Sequence, residues 1–416
     1  MSTAQRFVLF LGVALFLLEA EATSRSRRAL GDADADEVIS AGPSTVFNVN
    51  SFGATADGST NNAKAFMKAW IAACKSGGGP STLVFPKGTY VSGPVIFAGP
   101  CKGTITVQVQ GTIKATTDLS DYDTQDWFLF ESIDGLILTG GGTFDGQGQA
   151  VWKYNDCHQN PNCQLLPTSI SFFKVKNAQI HGITSLNSKS FHTHVSGCEN
   201  MQVHDLTVIA PGNSPNTDGM HVSRSNLVNI SSSTIGTGDD CISIGQGTTH
   251  LSVTDVHCGP GHGFSVGSLG KYPNELDVSG IVVSHSSLKG TTNGVRIKSW
   301  PGSSPSRASG IIFDDITMDA VKNPIIIDQK YGSQSITAPS RVQISDVHYK
   351  NIRGTTISNV AVSFICSSAV PCQGIEMVDI NLQYKGEGAK VTTVSASCEN
   401  AKIKYGGKQS PPPCVQ

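Results

Sequence analysis

In the second half of the chain, apolar residues return at a short, fixed spacing. An apolar-x-x-(apolar or Ser)-x-apolar core begins at Val203, Ile230, Val253, Val283, Phe313, Ile344 and Met377, with a weaker copy at Ile180 that ends in Ser185. The copies follow one another at intervals of 23 to 33 residues. In five of them an Asp precedes the second core position: Asp205, Asp255, Asp315, Asp346 and Asp379. A period of roughly 20–50 residues built from short strands marks a solenoid. Parallel strands need either a helix between them or one full coil each, and no helical pattern separates these copies. The expected fold is all-β, a parallel β-helix whose inward residues stack in columns. Propeller blades, at about 40 residues with hairpin turns, fit less well, because the copies are shorter and lack regular Asn-Gly signals.

The first half follows the same pattern less regularly. Val46-Phe47-Asn48-Val49 reads as a strand and the stretch Gly53 to Gly58 as a turn. Short alternating runs follow, such as Thr82-Leu83-Val84-Phe85 and Ile105-Thr106-Val107-Gln108-Val109. Residues 61–75 differ. Ala63, Phe66, Met67, Trp70, Ile71 and Cys74 share one helical face, with Ser59 or Thr60 as the N-cap. A short helix here would cover the open end of the strand stack, where backbone groups are otherwise unpaired.

The N-terminus has a different character. Arg6 precedes an apolar run from Phe7 to Leu18, and Ala20-Glu21-Ala22 is a small-x-small cleavage site. The run is too short to span a bilayer, so residues 1–22 are expected to be a secretory signal. Residues 23–43, polar and charged, read as a disordered leader with a trimming point after Arg28. Residues 44–416 are expected to form the β-helix domain. Secretion turns the 11 cysteines into disulfide candidates, and their odd number leaves one over. Spacing suggests Cys157 with Cys163, Cys366 with Cys372, and Cys398 with Cys414. Cys241 with Cys258 would join adjacent repeats, Cys74 with Cys101 remains, and Cys198 is free. No CxxC or His pair sits at zinc spacing, so no metal is expected.

With 30 basic and 32 acidic residues the net charge is -2, which leaves no electrostatic footprint for nucleic acid. No membrane partner is expected either. A polyanionic substrate would have to be held by a local basic patch. Four motifs supply charge: Asn216-Thr217-Asp218-Gly219, Gly238-Asp239-Asp240-Cys241, Gly261-His262-Gly263 and Arg296-Ile297-Lys298. With Tyr331, their side chains fall 9 to 18 residues after the start of each copy, in corresponding parts of successive coils. Coils stack at ~4.8 Å, so the groups should converge within ~5–15 Å.

Each motif alone has a plainer explanation. Asp-Gly is commonly a turn, Asp239-Asp240 suits a solvated loop or calcium site, and Arg296 with Lys298 suits an exposed strand face. Tyr331 alone suits packing. Their shared phase argues for a site. Three clustered carboxylates cannot all ionise freely, so one protonated acid beside ionised bases is expected, as glycoside hydrolysis requires. Arg296 and Lys298, two apart on a strand, face the same way and would grip a substrate carboxylate.

In this order the four motifs resemble those of the polygalacturonases, glycoside hydrolases of family 28, over about 370 residues that include Gly141-Gly142-Thr143-Phe144-Asp145-Gly146. The resemblance implies a right-handed parallel β-helix and inverting hydrolysis of α-1,4-linked galacturonic acid without a cofactor. It implies Asp239 as general acid, Asp218 and Asp240 as the pair activating water, and His262 as support for the acid's protonation. Arg296, Lys298 and Tyr331 become substrate contacts, and Cys241 with Cys258 a disulfide. Gly332 departs from the Cys that many plant members carry there. The expected partner is homogalacturonan in the plant cell wall or extracellular space, and the expected state is a monomer. Ile242-Ser243-Ile244-Gly245-Gln246-Gly247 and Lys298-Ser299-Trp300-Pro301-Gly302 look more like exo-acting than endo-acting members, with the loop Trp300 to Arg307 as a stiff wall. Competing readings are an endo-acting enzyme, a rhamnogalacturonan hydrolase, a calcium-dependent pectate lyase and a non-catalytic pectin-binding protein. Asn229-Ile230-Ser231 is an N-glycosylation sequon.

Overall fold

The computed structural model describes residues 44–77, 79–155, 160, 163, 165–332, 336–386 and 393–414. The expected signal, the leader and Cys157, with its pairing to Cys163, lie outside the described residues. The described residues form a right-handed parallel β-helix. One sheet has 19 strands and the other 11, and the strands of the smaller sheet follow one another in strict chain order, one per coil.

The long strands of the larger sheet are bent at two columns of left-handed residues. One column runs through Asp205, Ser232, Asp255, His285, Asp315, Asn351 and Asp379, all with φ between 44° and 54°. Asp and Asn tolerate this conformation because their short polar side chains bond locally. This explains the Asp that precedes the second core position. Asp346 belongs to the other column, with Leu227, His250, Gly280, Gly310 and Gly374. The repeat start expected at Ile344 is therefore out of register. Phe313 pairs with Tyr349, and Tyr349 with Met377, so the inward column passes through Tyr349, and Ile344 pairs with Ala308. Ile344 to Tyr349 imitates the core pattern, apolar ends and Asp included, across the wrong corner.

Helix α1 spans Ala63–Cys74 and is the α-helix among the described residues. It covers the first coil: Phe66 packs edge-on against Phe85 and Tyr90, and Trp70 stacks on Phe97 at 4.6 Å. Its buried face is Ala65, Phe66, Ala69, Trp70, Ala73 and Cys74. The expected face was rotated toward Met67 and Ile71, which are 38% and 48% exposed, and left out Ala65, Ala69 and Ala73, which are buried. Ser59 and Thr60 do not cap it. Their N–H groups bond to Asp57 in the preceding strand Asp57–Asn61, and Asn62 holds the N-cap position. Disulfides Cys74–Cys101, Cys241–Cys258, Cys366–Cys372 and Cys398–Cys414 are present, and Cys198 is a buried free thiol.

Candidate active site

The charged motifs lie where chain segments enter the smaller sheet. Asn216 to Gly219 precede the strand Met220–Ser223, Gly238 to Cys241 precede Ile242–Ile244, and Gly261 to Gly263 precede Phe264–Leu269. Arg296 and Lys298 lie within Asn293–Ser299. The first two turns are tied together, because Thr217 Oγ1 accepts from Gly238 N at 3.0 Å and bonds to Ser214 Oγ at 2.6 Å. A Cβ on Gly238 would lie 1.9 Å from the Ser214 carbonyl oxygen, so only glycine lets these turns approach. The Cys241–Cys258 disulfide then fixes the second turn to the next coil.

Asp239 and Asp240 are adjacent, and on a regular strand they would face apart. They lie instead in the irregular turn between Asn226–Gly236 and Ile242–Ile244, and both enter the site. Asp239 Oδ1 accepts from Asp240 N at 2.8 Å and lies 3.0 Å from His262 Nδ1. Asp240 receives Arg296 Nη2 on Oδ1 and Lys298 Nζ on Oδ2, each at 2.7 Å. Ser265 Oγ also donates to Asp240 Oδ1 at 2.8 Å and accepts Arg296 Nε at 2.9 Å. Asp218 Oδ2 accepts from Ser243 Oγ at 2.7 Å. Tyr331 lies over Lys298 Nζ and Arg296 Cζ, at 5.0 and 5.8 Å from its ring centre. All seven expected residues therefore converge. Both cations are nevertheless bonded to Asp240 rather than held free toward solvent.

The three carboxylates are differentiated. Burial, followed by the charges of Asp239 and Asp240, pushes Asp218 well above the ordinary carboxylate range. Burial also opposes ionisation of Asp240, but Lys298 and Arg296 outweigh it and hold its pKa at about 2. Asp239 is the most open of the motif's two acids, its side chain 16% exposed against 1% for Asp240. Asp239, Asp240 and His262 offer ligand atoms within 4.8 Å of one another, the one such cluster among the described residues. It fits a divalent cation poorly, since both oxygens of Asp240 are already occupied by cations.

Sequence reasoning missed Ser243, Ser265 and His221. The register aligns His221 with Ser243, Ser243 with Ser265 and Ser265 with Arg296. The signal is present in the sequence: Met220-His221-Val222, Ile242-Ser243-Ile244, Phe264-Ser265-Val266 and Val295-Arg296-Ile297 each set one polar residue between two apolar ones. Gly332, where the resemblance suggested Cys, has a local reason. Its φ is +83°, and a Cβ there would meet the Trp300 ring at 2.3 Å. Trp300 in turn packs edge-on against Tyr331 and lies under Lys271 Nζ.

The family model described as Glycosyl hydrolases family 28 matches residues 74–407. An exopolygalacturonase of Arabidopsis thaliana, clone GBGE184, is 53% identical over 379 residues, covering 90% of this chain and 89% of its own. The exopolygalacturonase of Platanus acerifolia is 48% identical over 371 residues, covering 88% and 97%. Among solved structures, the hyperthermoactive exopolygalacturonase from Thermotoga maritima superposes with a TM-score of 0.72 at 19% identity, covering 87% of this chain and 91% of its own. The endo-xylogalacturonan hydrolase from Aspergillus tubingensis gives a TM-score of 0.76 at 25% identity, covering 88% and 100%.

Proposed function

This chain belongs to glycosyl hydrolases family 28, and we propose that it is an exo-acting plant hydrolase that removes galacturonate from the ends of polygalacturonate with inversion at the anomeric carbon. The observation that carries the chemistry is the unequal treatment of the three carboxylates. Asp239, the more open acid, delivers its proton to the glycosidic oxygen, with His262 against its Oδ1. Asp240, kept ionised by two cations, accepts a hydrogen bond from the attacking water and aligns it. Asp218, whose proton affinity is raised, takes the water's proton, since a general base works best with a pKa near the operating pH. Water attacks opposite the leaving oxygen, and no protein nucleophile bonds to the sugar.

Arg296 commits Nη2 and Nε to Asp240 and Ser265, and Lys298 one N–H to Asp240, so each keeps donors for a uronate carboxylate beside Tyr331. Exo attack is supported by the exopolygalacturonase relatives and by the loop after Lys298. Gly302 N donates to Ala338 O at 2.9 Å, and Ser303 Oγ bonds to Ser340 Oγ at 3.2 Å, which ties the loop to the neighbouring coil. We place the enzyme in the plant cell wall as a secreted monomer, with residues 1–22 as signal, 23–43 as leader and 44–416 as catalytic domain, acting on homogalacturonan. No described helix is long and apolar enough to cross a membrane.

New reducing ends should form on polygalacturonate at the same rate with and without a chelator. Fully methyl-esterified pectin should react at least about tenfold more slowly, because charge-assisted bonds contribute about 1.5–3 kcal/mol each. Activity lost to the chelator, or equal on both substrates, would contradict the proposal.

A further inference from the structure

We propose that Ser243 and His221 form a hydrogen-bond relay that sets the orientation and proton state of Asp218, making them positioning residues for the water-activating base. The inference rests on the reading of Asp218 given above and adds two groups to it. Ser243 has a single hydroxyl hydrogen, and it points at Asp218 Oδ2 from 2.7 Å. The 2.8 Å contact between Ser243 Oγ and His221 Nδ1 must then carry the imidazole's hydrogen, with Nδ1 donating. The order is His221 to Ser243 to Asp218, a chain of donors ending on the carboxylate.

The relay is built into the fold. His221 and Ser243 are register partners on neighbouring strands, so the coil stacking itself sets their separation. The imidazole is half-buried and packed on two sides: Phe191 lies against it at 5.4 Å, and a Cβ on Gly245 would be 3.0 Å from its Cε1 and Nε2. Burial, then His194 and Lys298, lower the His221 pKa to about 3, so the ring stays neutral and keeps one hydrogen to donate. Asp218 faces Asp239 and Asp240 from the next turn and Lys298 from Asn293–Ser299, and His192 donates its backbone N–H to the Asp218 carbonyl. His221 faces His194 from Thr193–Ser196, Asp240 and Lys298. The Ser243 hydroxyl is the direct hydrogen bond to the Asp218 carboxylate in this set, and it favours the ionised form.

The sign follows. A base acts above its pKa, and removing a donor from its ionised form raises that pKa. Ser243→Ala should therefore move the acid limb of the kcat–pH profile on polygalacturonate upward by about one pH unit, with activity regained at higher pH. His221→Phe, which keeps the ring packing and leaves Ser243 in place, should move it the same way by less, and provides the reading if Ser243→Ala does not fold. Ser243→Thr, which keeps the hydroxyl, should retain the wild-type limb. A uniform fall in kcat across pH, with the limb unmoved, would make both residues merely structural and overturn the relay. Asp218→Asn assayed beside them separates the claims. If it is inactive while the limbs are unmoved, the relay alone falls; if it is active, the base assignment falls and takes the relay with it.

Discussion

Asp239→Asn protein should fold like the wild type and turn over polygalacturonate at least about a hundredfold more slowly, the low end of what a positioned acid contributes. An amide has nearly the same shape, and its Oδ1 can still accept from Asp240 N and face His262 Nδ1, so the turn is little disturbed. It cannot release a proton to the departing oxygen, and the bond then has to break with an unprotonated sugar alkoxide as leaving group. The side chain sits in a turn outside the strands, so its replacement leaves the coil ladder intact. Circular dichroism and thermal melting should be unchanged, while kcat from reducing-end formation collapses. A variant retaining half of the wild-type kcat would remove Asp239 from the acid role.

Lys298→Ala should have a comparably large effect, and not only through substrate binding. Lys298 Nζ is buried against Asp240 Oδ2, and with it gone a buried carboxylate keeps Arg296 as its one cationic partner. Breaking a buried pair from one side typically costs about 3–5 kcal/mol, because the remaining charge is left under-compensated. Asp240 has a depressed pKa, so its ionised form contributes stability above the ordinary carboxylate range, and that stability is lost as pH falls through about 2. Without Lys298 the depression shrinks, and acid unfolding should begin at higher pH. Removing the cation also raises the proton affinity of Asp218, which Lys298 holds down. The expected result is a lower kcat, a raised KM and an acid-unfolding midpoint displaced upward, read by circular dichroism across pH. A variant with raised KM alone, and wild-type kcat and acid stability, would mean that Lys298 serves the substrate and not Asp240.

The coil was legible because its inward residues repeat at a spacing the strands impose. The Asp before the second core position also signalled a left-handed corner at Asp205, Asp255, Asp315 and Asp379. The same signal misled at Asp346, because the second column of corners, glycine at Gly280, Gly310 and Gly374, carries an Asp in this one coil, which is longer than its neighbours. Phase brought the seven charged and aromatic residues together correctly. It did not show what they bond to. Arg296 and Lys298 read naturally as cations offered to a substrate, whereas the fold sets them against Asp240, a pairing set by which turn lies opposite which strand. Ser243 and Ser265 were missed for a related reason: a serine between two apolar residues looks like strand filler until the register aligns it with Arg296. The apolar stripe of helix α1 was drawn to one side because the large residues Met67 and Ile71 fit the period, whereas the coil end it covers takes the small Ala65, Ala69 and Ala73 beside Phe66 and Trp70.

The central claim is terminal attack on polygalacturonate by an inverting hydrolase. Its most direct test is to follow viscosity, reducing ends and products together on long polygalacturonate, with early-time NMR of the anomer released. The account predicts monogalacturonate from the first per cent of bonds cleaved, viscosity falling slowly in proportion, and a first product of inverted configuration. A steep viscosity drop at a few per cent of bonds cleaved, with mixed oligomers or a retained anomer, would contradict it.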